Sequence, residues 1–323
     1  MPTTLPDPRR SPRFAGIATF GRYPLLEHVP PAHRPLDWAI FGVPFDTGVT
    51  YRPGARFGPR AIRDASQYLK RFHLEHALDV CETLSLADAG DAPVNPYDCE
   101  ANAQTGAAFA RTLADPGTRL LALGGDHSIA YANIRATHER LDSPPKGLPL
   151  IHFDAHLDTV DAVWGEKWGH ASPFRRAIEA GHVDPTRMIS IGIRGPLNRG
   201  DDLEYARSVG ATIITYDQWR AGTGAATLAT FVKALAHTPV YLTFDIDAID
   251  PAFAPGTGTP CVGGFTSAEA LAILRSLKGL NIAGADVVEV LPALDVAGNT
   301  ALLAAHIAFE ILALDACRKL AGH

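Results

Sequence analysis

An α/β fold with a mainly parallel sheet, covered by helices on both faces, is predicted by three observations. Short apolar runs recur along the chain; most lack clean apolar/polar alternation; segments of helical character separate them. The runs fall at 38–43, 120–123, 148–153, 188–193, 211–216, 240–244 and 282–288. Continuous apolarity fits strands buried on both faces. Helices are expected at 59–71, 100–114, 129–141, 225–236, 267–277 and 299–320. Strand alternating with helix builds βαβ units. Thr266 or Ser267, with Glu269 nearby, reads as one helix start, and Asn299-Thr300 as the start of the last helix.

The 323 residues show no internal repeat, no low-complexity tract and no long linker, so a single domain over 1–323 is expected. Residues 1–36, rich in Pro and Arg, are expected to form an irregular arm over the surface. Hydrophobic residues at 46% and charged residues at 20% supply an ordinary core rather than disorder. The net charge of −6 gives no reason to expect nucleic acid or an anionic membrane as partner. Cys81, Cys99, Cys261 and Cys317 are scattered with no C-x-x-C pair and read as reduced thiols. Residues 1–13 lack the apolar segment of a secretory signal, and prolines at 2, 6, 8 and 12 would break the amphipathic helix of a transit peptide. The most apolar stretch, 301–314, is interrupted by His306 and Glu310 and reads as too short to span a bilayer. Cytoplasmic location without membrane contact is the expectation.

Chemistry concentrates where apolar runs end. Asp154-Ala-His156-Leu-Asp158 follows 148–153, Asp245-Ile-Asp247 follows 240–244, and Gly124-Gly-Asp-His127 follows 120–123. In extended backbone, alternate side chains share a face, so each stretch would point its ligands one way. Ligands in parallel α/β sheets bind at the carboxyl ends of strands. Gly124 and Gly125 would let the chain turn sharply there. Each motif alone has a plainer reading: a helix cap at Asp126-His127, surface polarity at 154–158, turn chemistry at 245–250. Their joint occurrence after three separate runs favours a two-metal site. Two imidazoles and four carboxylates without thiolate suit Mn, Fe, Co or Ni better than structural zinc. Four carboxylates around two divalent ions and a hydroxide leave the centre at about −1, suited to a cationic substrate rather than a phosphate. His152 is expected on the opposite face from the Asp154 series, as a core or supporting residue. The run 52–59 lacks the Gly-Lys-Ser/Thr ending of a phosphate cradle and reads as a turn near the pocket mouth.

These motifs resemble the signatures of the ureohydrolases, the arginase/agmatinase family. Gly124–His127, Asp154–Asp158 and Phe244-Asp-Ile-Asp-Ala-Ile-Asp250-Pro carry the likeness, extended by Pro255-Gly-Thr-Gly-Thr-Pro260 and Gly263-Gly264. Arg52-Pro-Gly-Ala-Arg-Phe-Gly-Pro-Arg60, His170-Ala-Ser-Pro-Phe-Arg-Arg176 and Gly298-Asn-Thr-Ala-Leu-Leu303 look closer to agmatinase and guanidino-acid hydrolases than to arginase itself. The resemblance implies a three-layer arginase-like fold and two manganese ions, while nickel fits the same donors. It implies that His127, Asp154, Asp158 and Asp245 hold one ion, and His156, Asp154, Asp245 and Asp247 the other. A hydroxide between the ions, oriented by Asp158, would attack the guanidinium carbon of a small cationic guanidino substrate, giving urea and an amine. His170 would shuttle a proton to the leaving amine, and Glu289 would pair with the guanidinium. Trimers or hexamers are usual in the family, so a homo-oligomer is implied.

Departures from the family pattern bear on the substrate. Cys261 stands where an acidic residue is usual, Val290-Leu291-Pro-Ala293 follows Glu289, and the loop before His170 holds Trp164 and Trp168. With Thr259, these residues would wall the pocket. More apolar walls would weaken binding of a diamine-like tail such as that of agmatine. They would suit an ω-guanidino acid, free guanidine or an alkylated biguanide. Two competitors stay open: a one-zinc amide deacylase, against which the six-ligand set argues, and a non-catalytic subunit working with a paralogous partner.

Overall fold

A computed structural model describes every residue except Met1, Ala114 and His323. Three short 3-10 turns, Phe20–Arg22, Leu26–His28 and Pro31–His33, punctuate an otherwise irregular N-terminal segment. The chain then forms β1 (Trp38–Val43), α1 (Gly58–Ser66), a small hairpin of β2 (Phe72–His73) and β3 (Leu78–Asp79), α2 (Val80–Thr83) and β4 (Leu86–Asp91). Next come α3 (Cys99–Leu113), β5 (Arg119–Gly124), α4 (Ile129–Arg140), β6 (Leu148–Phe153), α5 (Pro173–Glu179) and β7 (Val183–Ile193). The second half holds α6 (Glu204–Ser208), β8 (Thr212–Thr215), α7 (Tyr216–Arg220), α8 (Thr223–Leu235), β9 (Val240–Asp245), α9 (Ser267–Ser276), β10 (Ile282–Val288) and α10 (Asn299–Leu320). Of the helix expected over 100–114, its last residue, Ala114, lies outside the described residues.

Eight strands make one sheet in the order β4-β1-β5-β10-β9-β6-β7-β8. Every pairing in it is parallel. Side-chain alternation divides the core between the two faces. Leu121, Leu123, Ile151 and Phe153 join a cluster with Ile62 of α1, Leu274 of α9 and Leu312 of α10. Their neighbours point the other way: Leu120 and Ala122 meet Ala110 and Ile129, and Leu148 and Leu150 meet Ile134 and Phe174, so α3, α4 and α5 cover that face. Two helical layers around a parallel sheet is the three-layer α/β architecture expected.

Local chemistry explains several boundaries. Thr266 and Glu269 form a reciprocal capping box at the start of α9. α10 starts at Asn299 as expected, but its cap comes from upstream: Asp295 accepts the N–H groups of Thr300 and Ala301 at 3.0 and 2.9 Å. The last helix is also longer than the apolar stretch at 301–314 suggests. α10 runs 22 residues, and an 18-residue window within it has a mean hydropathy of 1.6, long and apolar enough to cross a membrane, but 89% of that window is buried inside the fold. It is a core helix because both α1 and α9 pack on it. The strand β4 was not expected, since Asp88 and Asp91 interrupt its short sequence.

Candidate metal centre

All six expected ligands meet at the carboxyl end of the sheet, but not by strand alternation. Asp154 to Asp158 lie beyond β6 in irregular backbone, with Asp158 at φ 52°. Asp247 sits in a 3-10 turn, Ile246–Ala248, rather than on extended chain. Turns converge the ligands more tightly than a straight strand could. Gly124 and Gly125 also act differently from the expectation. A Cβ at Gly125 would come 2.1 Å from the Phe45 carbonyl oxygen, and one at Gly124 would come 2.5 Å from Val288. Close approach of neighbouring backbone, not a sharp turn, demands glycine there.

His127 is fully buried, and its Nδ1 has Asp158 Oδ2 at 2.9 Å, Asp154 Oδ2 at 3.1 Å and Asp245 Oδ2 at 3.2 Å. The half-exposed His156 turns its Nδ1 to Asp247 Oδ2 at 3.1 Å and Asp154 Oδ1 at 3.3 Å. Asp154 therefore spans both groups through its two oxygens. Asp245 offers Oδ2 to the first group, while its Oδ1 accepts the Asp247 N–H at 2.8 Å. Burial, then Asp247 and Asp154, push the Asp245 carboxyl well above the usual carboxylate range. Such mutual repulsion is relieved by cations.

The proton position on His127 tests whether a metal fits. Its Nε2 lies 2.8 Å from Thr243 Oγ1, and that hydroxyl donates to Asp286. Asp286 also accepts the Tyr241 hydroxyl at 2.7 Å. A hydroxyl that donates to Asp286 can only accept from His127, so Nε2 carries the proton. The Nδ1 lone pair then faces three carboxylates, and this buried atom has no hydrogen-bond partner. Lone pairs aimed at lone pairs fit a divalent cation, with the Nε2–H secured by an outer acceptor. The donor set therefore fits metal.

His152 corrects its expectation. Two positions from Asp154, it shares that residue's face, and its Nε2 reaches Asp154 Oδ2 at 2.8 Å while Nδ1 meets Ser190 Oγ at 3.0 Å. Although β6 ends at Phe153, the Asp154 N–H still bonds the Ile191 carbonyl at 3.0 Å, so the alternation carries one residue further and His152 and Asp154 point alike. Glu289 stands at φ 63° and uses Oε1 twice, accepting the His127 N–H at 2.9 Å and meeting His170 Nδ1 at 2.8 Å. Its other oxygen, Oε2, is buried without a partner. Burial lowers the His170 pKa, but Glu289, with Asp158 and Asp126, outweighs it, and the net result is a rise to about 9.

The loop after β1 closes the site, and the sequence reading missed its role. Gly48 donates to Asp126 and accepts from the His170 N–H, while Thr50 places its N–H at 2.9 Å and its Oγ1 at 2.8 Å from His170 Nε2. Arg52 Nε donates to the Gly258 carbonyl at 3.1 Å. Thr243 and Asp286 were missed as well, although a polar residue inside a continuous apolar run is a usable signal.

The expected pocket walls sort unevenly. Thr259 Oγ1 donates to Asp247 Oδ2 at 3.3 Å, within the centre. Trp164, 85% exposed at φ 52°, borders a small cavity of about 100 Å³ shared with Gly48 and Thr50. Trp168 instead packs edge-on against Tyr131, ring centroids 5.0 Å apart. Leu291 is sealed beneath Gly54, whose Cβ would stand 3.0 Å from its side chain, so it forms no open wall. The Cys261 sulfur faces Gly195, and its carbonyl accepts from Arg194.

Comparison with known proteins places the chain in a family. Residues 36–314 match the model of the arginase family. Guanidinopropionase of Pseudomonas aeruginosa is 42% identical over 309 residues, covering 95% of this chain and 94% of the relative. Agmatinase of Neisseria meningitidis is 42% identical over 302 residues, covering 93% and 94% respectively. The solved structure of proclavaminate amidino hydrolase from Streptomyces clavuligerus superposes with a TM-score of 0.86 at 39% identity, covering 95% of this chain and 100% of that one. Fold and likeness over nearly the whole length agree, and the chain belongs to the arginase family.

Proposed function

We propose that this chain is a dinuclear-metal hydrolase that cleaves a guanidino compound at a C–N bond, releasing urea and an amine. The observation that carries the reading is Glu289 Oε2, a buried carboxylate oxygen with no partner beside the six-ligand cluster. A guanidinium offers planar N–H donors that such an oxygen can accept. Space is kept for it at Gly258, where a Cβ would stand 3.8 Å from Oε2.

His127, Asp154, Asp158, Asp245, His156 and Asp247 would hold two divalent ions, manganese or nickel. Bound there, such ions would lower the pKa of water enough for it to attack the guanidinium carbon near neutral pH. The chain's own residues do the rest. Glu289 orients the substrate and, through Oε1, the His170 ring. His170 carries a proton for the leaving amine, and Thr50 can serve either protonation state. Its hydroxyl accepts from a protonated Nε2, and its N–H donates to a neutral one.

We assign an ω-guanidino acid as the substrate class. Arg52 donates to the Gly258 carbonyl and lies over the Tyr51 ring at 5.0 Å, and among the described residues it forms no ion pair with a carboxylate. An unpaired guanidinium there favours an anionic tail over the cationic tail of agmatine. Guanidinopropionase of Pseudomonas aeruginosa and the human guanidino acid hydrolase are names among the relatives at 42% and 40% identity. Cytoplasmic location and assembly into a homo-oligomer belong to the same proposal.

The test is urea release by protein loaded with manganese or with nickel. The panel holds 3-guanidinopropionate, 4-guanidinobutyrate, agmatine, arginine, guanidine and dimethylbiguanide. Turnover of a guanidino acid above the others is expected, and Arg52→Ala should raise its KM while leaving that for guanidine little changed. Preference for agmatine, guanidine or the biguanide would overturn the substrate class. Silence across the panel with two ions bound would overturn the hydrolase reading.

A further inference from the structure

We propose a second, separate divalent-metal site in this chain, built from His73, His76 and Glu310, that takes a zinc-type ion and ties the small hairpin to the C-terminal helix. His73 ends β2, His76 lies in the turn before β3, and Glu310 projects from the middle of α10. Both imidazoles converge on one carboxylate oxygen. His73 Nε2 is 2.9 Å and His76 Nε2 3.9 Å from Glu310 Oε2. In a tetrahedral zinc site with arms of about 2.0–2.1 Å, neighbouring ligand atoms stand about 3.3 Å apart. The two distances bracket that value, so small side-chain movements bring three donors around one ion.

An unsatisfied atom points into this space. The His76 side chain is 6% exposed, and its Nε2 is buried without a hydrogen-bond partner. A buried imidazole nitrogen left bare is costly unless something occupies it. The surroundings restrain the other donors. Arg275 holds Glu310 through the opposite oxygen, Oε1, at 2.6 and 2.8 Å, so Oε2 is engaged by His73 alone, and an ion would replace that one hydrogen bond. The His73 and His76 rings stack at 4.4 Å, and His73 also stacks on Phe309 at 5.8 Å.

Binding requires one rearrangement. The His76 N–H points at His73 Nδ1 at 3.1 Å, which places the His73 proton on Nε2 before the ion arrives. With the ion on Nε2 the proton moves to Nδ1, so the His76 N–H contact at 3.1 Å must open and the Glu75 carboxylate, now 3.7 Å away, must close in to accept it. A carboxylate behind a metal-bound histidine is the usual outer partner. Two histidines and one glutamate leave a fourth position for water. Arg275 already balances one of the two nearby carboxylates, so this ion is held less tightly than those among the four aspartates.

The experiment uses the full chain dialysed against zinc or cobalt, with bound metal counted by mass spectrometry and cobalt coordination read from visible absorption. Wild type is expected to hold three ions and His76→Ala two. His76→Ala keeps the backbone N–H that His73 uses, so it should fold and keep its urea-forming activity. Asp247→Asn should lose metal from the cluster at the sheet edge yet retain the intense tetrahedral cobalt bands of the hairpin site. The proposal is overturned if wild type and His76→Ala bind equal amounts, the outcome expected if water bridges His76 and Glu310.

Discussion

Asp88 and Asp245 are both buried carboxylates on strands of the same sheet, 1% and 2% exposed, yet their surroundings differ in kind. Arg63 grips Asp88 with two N–H groups at 2.8 and 3.0 Å, and the Phe20 and Gly90 N–H groups add two more bonds. A third donor of Arg63 reaches Asp91. Among the described residues, no arginine or lysine pairs with Asp245. It faces Asp154 and Asp247, which raise its pKa, and a histidine whose proton is turned away toward Thr243. A carboxylate buried to hold the fold carries its cation in the chain. A carboxylate buried to hold a metal leaves that position for the ion.

The contrast can be broken experimentally. The largest effect is expected from Asp245→Asn, which should abolish urea release and yet raise the thermal midpoint of the chelator-treated protein by removing one repelling charge. A lower midpoint in chelator would contradict the idea that the cluster is strained without metal. Arg63→Met should do the reverse. Breaking a buried pair costs about 3–5 kcal/mol, read by urea denaturation, while bound metal per folded chain stays unchanged. His170→Asn should lower kcat about 10²- to 10⁴-fold with full metal occupancy; an unchanged kcat would remove His170 from proton transfer. The smallest effect belongs to Thr243→Val, which loosens the proton anchor of His127. It should weaken metal affinity about 10–100-fold in a competition titration, with little change in fold.

Which of these features the sequence discloses follows from their physics. β1, β6 and β10 coincide with largely apolar runs because strands buried on both faces favour apolar residues on each, with His152 and Asp286 the buried polar exceptions. β4 escapes that signal because Asp88 and Asp91 serve Arg63, a partner 25 and 28 residues away. The metal ligands are legible as residue types at run ends, whereas their convergence depends on turns and left-handed residues that alternation does not describe. Thr50 is invisible from sequence. Its partner His170 lies 120 residues on, and only the closed loop joins them. Leu291 shows the opposite error: an apolar residue beside Glu289 suggests a pocket wall, but Gly54 seals it into the packing.

The position of β10 carries a consequence for how the centre is assembled. It is the last strand in the chain, yet it lies between β5 and β9 in the middle of the sheet. His127 follows β5, whereas Asp154, Asp158, Asp245 and Asp247 follow strands on the far side of β10. Until residues 282–288 insert, the two banks of ligands have no common support. During synthesis the growing chain would therefore carry scattered aspartates and histidines with little hold on an ion. Metal capture would come only with closure of this long-range pairing, and retention of metal would report that the last strand has found its place.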